Sequence, residues 1–327
     1  MKNRFLQGLL AKAELGPLIL LIVEIAVFAS LNSDFISILN ISNTLAFTVE
    51  LGLIALAMTL LMTSGEFDLS VGSVFGFSPV LMWTLANSGA TSLVVAFFVA
   101  ILIAALIGLI NGWFVTRLKI PSFLVTLGML LVVRGLALFM TNGFPQRTWS
   151  ASGAWLPRIL AGEFYIGDFR VYASIFWFLG SAIVLGYVLT RTKIGNWIQA
   201  SGGNPNAARA RGVNVNRTKA GLFVLCSVMS ALAGTISSIR TSAANPDSGT
   251  GYELEVIAMV VIGGTALTGG RGTIVGTVLG VLILRIMRNG IVFVGVPGLA
   301  YNIFIGAIIL GMMALHSGLE RRHNAGA

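Results

Sequence analysis

Ten stretches of 14 to 24 residues, nearly free of charge, succeed one another from Pro17 to Leu315, separated by short polar breaks. That pattern constrains the fold more than any other feature. A hydrocarbon core about 30 Å thick is crossed by about 20 apolar residues in a helix. Lipid offers no partner for a bare N–H or C=O, so such runs must form helices. The chain is 56% hydrophobic and 10% charged, with a mean hydropathy of +0.90. It therefore reads as an all-α integral membrane protein of about ten transmembrane helices in one domain, 1–327. The runs are 17–31, 45–62, 71–86, 92–115, 123–140, 171–190, 220–239, 254–267, 274–291 and 299–315. The third and eighth are short or glycine-punctuated, the pattern of broken helices. The first follows a basic amphipathic N-terminus and shows no small-residue cleavage site, so it reads as a retained span.

Charge gives the orientation. The segment from Arg191 to Lys219 spans 29 residues with six Lys or Arg and no acid. Lys and Arg favour the cytoplasmic face, which places 191–219 and both termini in the cytoplasm and the long 141–170 loop outside. The net charge of +9 does not point to nucleic acid, because the bases lie in short loops between apolar runs. The single cysteine, Cys226, lies inside an apolar run, so no disulfide framework exists. His316 and His323 form no metal-ligand cluster, and no metal site is expected.

Several polar residues interrupt the oil. Asp68 lies between the second and third runs, and two readings stand: it caps the third helix, or it contacts substrate or a gate. Glu253 and Glu255 open the eighth run, as helix-start charges do. Arg134, within the fifth, needs an acid on a neighbouring helix, a polar cavity or a ligand. Glu24 poses a weaker form of that problem. Arg285 and Arg288 are expected to snorkel to the outer surface. Phe67-Asp68-Leu69 and Tyr252-Glu253-Leu254 each precede a Gly-rich run, an Asn-Gly pair and a Pro. If this is a true repeat, its halves lie five runs apart and are inverted, as in many transporters; chance recurrence of Asn-Gly turns is the alternative. No G-x-x-x-x-G-K-[ST] sequence occurs, so any ATP is bound by another chain and no cofactor is expected here. No nucleophile–base pair or carboxylate dyad stands out, so the chain is not read as an enzyme.

Five segments carry a resemblance: SGEFDLSVGSV (64–74), GLINGWFVTRLKIPSFLVTLGML (108–130), ASGGNPNAARARGVNV (200–215), GYELEVIAMVVIGGTALTGGRGTIVGT (251–277) and RNGI (288–291). In that order they resemble the permease subunits of bacterial ABC importers for monosaccharides, the ribose/xylose/arabinose-type branch, across residues 45–315. Where this chain has Glu66, such permeases often carry another residue, a difference that bears on ligand preference. The resemblance implies a cobalamin-importer-like architecture in the inner membrane. It also implies a second permease subunit, identical or related, a cytoplasmic ABC ATPase and a periplasmic sugar-binding protein.

By that resemblance, 195–213 is the coupling helix that docks on the ATPase. The matching positions are Gly195, Ala200, Gly203, Asn204, Ala207, Ala208, Arg209, Gly212 and Val213. Small residues permit close docking, and Arg209 and Arg211 are expected to meet acids of the partner. The other cations of the island set orientation. A sugar path lined by small polar groups makes Ser70, Asn111, Thr126 and Thr265 candidates, with Thr59, Thr63 and Ser73, and with Asp68, Arg134 and Glu253 as gating groups. The rival reading is an ion-coupled secondary transporter or channel using those charges, which would need no docking segment.

Overall fold

The computed structural model describes residues 14–89, 91–148, 155–297 and 300–311 apart from 302, 305, 308 and 309. Five helices come first: α1 (Leu15–Leu31), α2 (Ile38–Thr63), α3 (Val71–Asn87), α4 (Leu93–Arg117) and α5 (Ser122–Thr141). Strand β1 (Gln146–Arg147), short helix α6 (Trp155–Ala161) and hairpin β2 (Glu163–Ile166)–β3 (Phe169–Tyr172) follow. Next are α7 (Ser174–Arg191), α8 (Lys193–Gly203), α9 (Pro205–Ala210) and α10 (Val215–Thr241). Strand β4 (Ala243–Ala244), α11 (Tyr252–Ile262) and α12 (Ile274–Phe293) follow, and a short 3-10 turn (Ser33–Ile36) lies between α1 and α2.

Six of the described helices, α2, α4, α5, α7, α10 and α12, are long and apolar enough to cross a membrane, and α1 and α3 are apolar but shorter. With α11, which carries most of the eighth, nine of the ten expected spans thus fall on helices. Three details differ from the sequence reading. The sixth span starts at Ser174, because Val171 and Tyr172 pair with Phe164 and Glu163 in the hairpin. The expected 141–170 loop holds α6 and that hairpin. The eighth stops at Ile262, before Gly263 and the positive-φ Gly264. At about 1.5 Å per residue, the 11 residues of α11 cover about 16 Å, half a bilayer core. The tenth, 299–315, falls largely outside the described residues.

Polar side chains start half of these helices. The hydroxyls of Ser37, Ser92, Thr192 and Thr273, and the amide oxygens of Asn204 and Asn214, accept the first free backbone N–H groups. α5 and α10 end on the left-handed residues Asn142 and Ser242.

Helix α2 forms the centre. Every residue from Thr48 to Ser64 is buried, against α7, α10, α11 and α12. α10 in turn packs on α3 and α4. The outer faces of α4, α5 and α7 expose large apolar side chains, among them Phe98, Leu102, Leu131, Phe139 and Ile183. Water would not tolerate so extensive an apolar surface; lipid does.

The helices alternate in direction between two ends. At one end lie the island helices α8 and α9, with the C-terminus of α2 and the start of α12. The other holds the β2–β3 hairpin, where the Arg170 guanidinium donates to Asn43 (2.8 Å) on the first turns of α2. There β1 pairs with β4, and Asn32, after α1, donates to the Phe293 carbonyl at the end of α12 (3.1 Å). α1 begins at the island end, where Thr273 donates to Glu14 (2.9 Å).

Candidate functional site

The expected coupling segment is two helices meeting at Asn204. Its side chain caps α9, Pro205 supplies the first helical position, and both choices favour a helix start there. Ala207, Arg209, Arg211 and Gly212 are exposed, as are Gly203 and Asn204, while Ala200 and Val213 are half-buried. Arg209 donates to Asn206 (3.2 Å) on its own helix. Two expected docking positions face inward instead. Gly195 is buried with its Cα against the carbonyls of Val188 and Leu189. Ala208 is 4% exposed, and its carbonyl receives the Val213 N–H (3.0 Å). A small residue can be small because its own chain crowds it, and at both positions that cause operates.

Behind the segment is a joint made of backbone. Gly202 leaves no room for a Cβ beside the Thr63 carbonyl, and the Gly270 N–H donates to that carbonyl (2.8 Å). Gly65, Gly269 and Gly270 all have φ near +83°, and a Cβ on Gly269 would lie 2.9 Å from the Gly65 Cα. Only glycine combines that dihedral with so close an approach. The island, the end of α2 and the 263–272 turn are therefore in direct main-chain contact. Lys219 ties the same end by an ion pair to Glu66 (2.6 Å), with both side chains largely buried. Lys219 is thus more than an orientation charge. Glu66, expected to bear on ligand preference, serves this pair.

Deeper in, Asp68, Ser70 and Asn111 form one buried cluster. Asp68 Oδ1 accepts from the Ser70 N–H (2.8 Å) and the Ser70 hydroxyl (2.6 Å). Asn111 donates to Ser70 Oγ (3.0 Å) and, longer, to Asp68 Oδ2 (3.4 Å). Asp68 therefore organises the turn into α3 and ties it to α4; the helix cap position itself, Ser70, makes no side-chain capping bond.

Arg134 donates to the carbonyls of Pro246 and Ser248 (both 3.2 Å). Its hydrogen-bond partners are thus backbone groups, while Glu253 on α11 and Asp247 lie near enough to interact with its charge. Glu253 is half-buried near Gly72, with Oε2 unpartnered among the described residues. Thr126 bonds to the Ser122 carbonyl of its own helix (2.8 Å), whereas the buried Thr265 hydroxyl has no partner there. Thr59 meets Thr277 of α12 (2.6 Å), Thr63 bonds to the Thr59 carbonyl (2.6 Å), and Ser73 to the Leu130 carbonyl (2.9 Å).

A further polar site escaped the sequence reading. At the hairpin end, α2, α10, α12 and the turn before α11 enclose a cavity of about 590 Å³. Glu50 of α2 pairs there with Arg240 of α10 through Oε1 (3.0 Å from Nε), and Arg240 lies over the Phe47 ring (4.0 Å). Asn289 donates to Asn40 (2.7 Å) and to Thr44. Arg285 also lines the cavity. It is 5% exposed rather than snorkelled outward, because its position on α12 faces the bundle. Arg288 does reach the surface, and pairs with Glu255 (3.7 Å). The overlooked signal was Glu50, an acid within the second apolar run.

Comparison with known proteins gives the family. The model of the family described as "Branched-chain amino acid transport system / permease component" matches residues 40–313. The ribose import permease protein RbsC of Escherichia coli is 37% identical over 303 residues, covering 92% of each chain. That of Bacillus subtilis is 35% identical over 312 residues, covering 95% of this chain and 94% of its own. The xylose transport system permease protein XylH of E. coli is 32% identical over 359 aligned positions, covering 92% and 91%. No solved structure matches significantly. The chain is a multi-pass membrane protein and belongs to the branched-chain amino acid transport system permease component family.

Proposed function

We propose that the chain is the transmembrane permease subunit of an ATP-driven importer that moves a monosaccharide or related polyol across the bacterial inner membrane. The observation that carries this reading is the similarity to ribose and xylose permeases along more than nine-tenths of the chain. The family description names amino acids, but these long, even matches are to sugar permeases, which favours the sugar.

The island end is read as cytoplasmic and the hairpin end as periplasmic, since the positive-inside rule asks for it. ATP is bound by a separate ABC ATPase, which docks on Ala207, Arg209 and Arg211. A periplasmic sugar-binding protein delivers ligand to the hairpin end. A second permease subunit, the same chain or a related one, completes a cobalamin-importer-like arrangement with about ten spans per subunit and inverted halves. Movement of the docked helices reaches α2 and the 263–272 turn through the glycine joint. It re-aims α2 against α10 and α12 and alternates access between the two ends.

The test is uptake by vesicles holding the permease with its ATPase and binding protein. Uptake of ribose or xylose that requires ATP and all three proteins is expected. Equal uptake by the permease alone would overturn the reading in favour of an ion-coupled carrier.

A further inference from the structure

We infer that the cavity at the hairpin end is a monosaccharide subsite within the single permease chain, in which Arg285 and Glu50 receive sugar hydroxyls. The inference rests on the importer reading above and adds a location to it.

A cavity of about 590 Å³ lies within the usual range of small-molecule sites, roughly 300–1,000 Å³. Its exposed lining residues, Phe47, Thr241, Arg288 and Val292, put it in communication with the outside. Most of its polar groups are already paired. The amides of Asn40 and Asn289 bond each other, Arg240 holds Glu50, and Arg288 holds Glu255.

Arg285 is the exception. Its Nε and Nη2 are buried and have no hydrogen-bond partner among the described residues. A guanidinium never sheds its charge, so leaving two of its donors dry and unmatched is unfavourable. A ligand that brings acceptors into the cavity would remove that cost.

The rest of the lining narrows what such a ligand is. Arg240 engages only Oε1 of Glu50, which leaves Oε2 to accept from a donor. The ligand thus needs donors and acceptors together, which hydroxyls provide and a simple anion does not. Phe75 and Tyr252 add aromatic surface to the wall, with their rings edge to face at 5.1 Å. Adjacent polar planes and an aromatic wall suit a small pyranose or furanose, whose C–H faces are apolar and whose rim is hydroxylated.

The sole cysteine, Cys226, is fully buried, which leaves the chain silent to a water-soluble maleimide. In the purified full-length permease, Thr241→Cys places a reporter on the cavity rim. D-ribose or D-xylose at about 10 mM is expected to slow its labelling by about threefold or more, the protection given by a millimolar site. Arg285→Met should erase that protection and at the same time raise the thermal stability of the sugar-free protein. A merely structural arginine would instead lower stability when removed. Should Arg285→Met prove poorly folded, Glu50→Gln gives a second measurement, with weakened protection expected.

Unslowed labelling in sugar would overturn the site, and so would protection that survives both substitutions. Protection by gluconate with none by either neutral sugar would also overturn it, as an anion site. The two readings fail separately. ATP-driven uptake without protection sinks the subsite alone, whereas protection without ATP-driven uptake sinks the importer reading and keeps the site.

Discussion

Asp68 shows how much chemistry one buried carboxylate can organise. It satisfies a backbone N–H and a hydroxyl of Ser70, and Asn111 closes the cluster from α4. Asp68→Ala strands the Ser70 N–H and hydroxyl, while Asn111 keeps its bond to Ser70 Oγ, and each buried orphan costs about 1–3 kcal/mol. A clear fall in thermal stability in detergent is expected. Asp68→Asn keeps an oxygen in the Oδ1 position and should lose markedly less; an equal loss in both variants would show that the charge, not the acceptor, matters. The importance of Asp68 was legible from the sequence, as an acid beside an apolar run. Its partners were not, because Asn111 lies 43 positions away and only the packing of α3 on α4 brings it near. Arg285 was misjudged for a related reason. Near a span's end, one rotation of the helix separates a cation in the headgroups from a cation in the core, and α12's rotation is set by contacts that no local pattern records.

At the level of elements, the sequence carried most of the helices, since lipid removes the alternatives. The exceptions arise where an element makes contacts outside its own run. β3 takes Val171 and Tyr172 from the start of a span through pairing with β2. α11 stops at the diglycine because Gly263 lies against the backbone of Gly276 on α12. The island was legible as helix-capable, yet which of its small residues faces outward depends on the joint beneath it. A partner-facing test therefore uses Ala207→Glu with Arg209→Glu and leaves the buried Ala208 alone. ATP-driven uptake should be lost while protein level and thermal stability stay near wild type; normal uptake would refute the docking surface. By contrast, Gly202→Ala drives a methyl into the Thr63 carbonyl, and overpacking of this kind costs about 1–3 kcal/mol. Uptake should fall together with stability, a combination the surface variant lacks.

The whole molecule is a polarised object with a basic helical end and an end closed by two short sheets. Cysteines introduced at the exposed Asn206 and at Tyr165, 67% exposed, sit at opposite ends. In sealed right-side-out vesicles, an impermeant maleimide should label Tyr165→Cys at once and Asn206→Cys only after permeabilisation. The reverse order would invert the orientation and displace the coupling assignment with it. The lipid-facing belt is testable on the same scale. Leu131→Arg puts a charge on an exposed face of α5, at about 2.5–3.5 kcal/mol on insertion scales, and membrane-integrated yield should drop.

The glycine joint has a genetic consequence. Gly65, Gly202, Gly269 and Gly270 carry no functional group, yet any codon change there that swaps the amino acid either adds atoms where none fit, as at Gly202, or strains a left-handed backbone, as at Gly65. In a random-mutation screen for lost sugar uptake, disabling alleles should collect at these chemically blank positions. Volume-reducing suppressors should not arise opposite Gly202, Gly269 or Gly270, because the atoms met there are main chain.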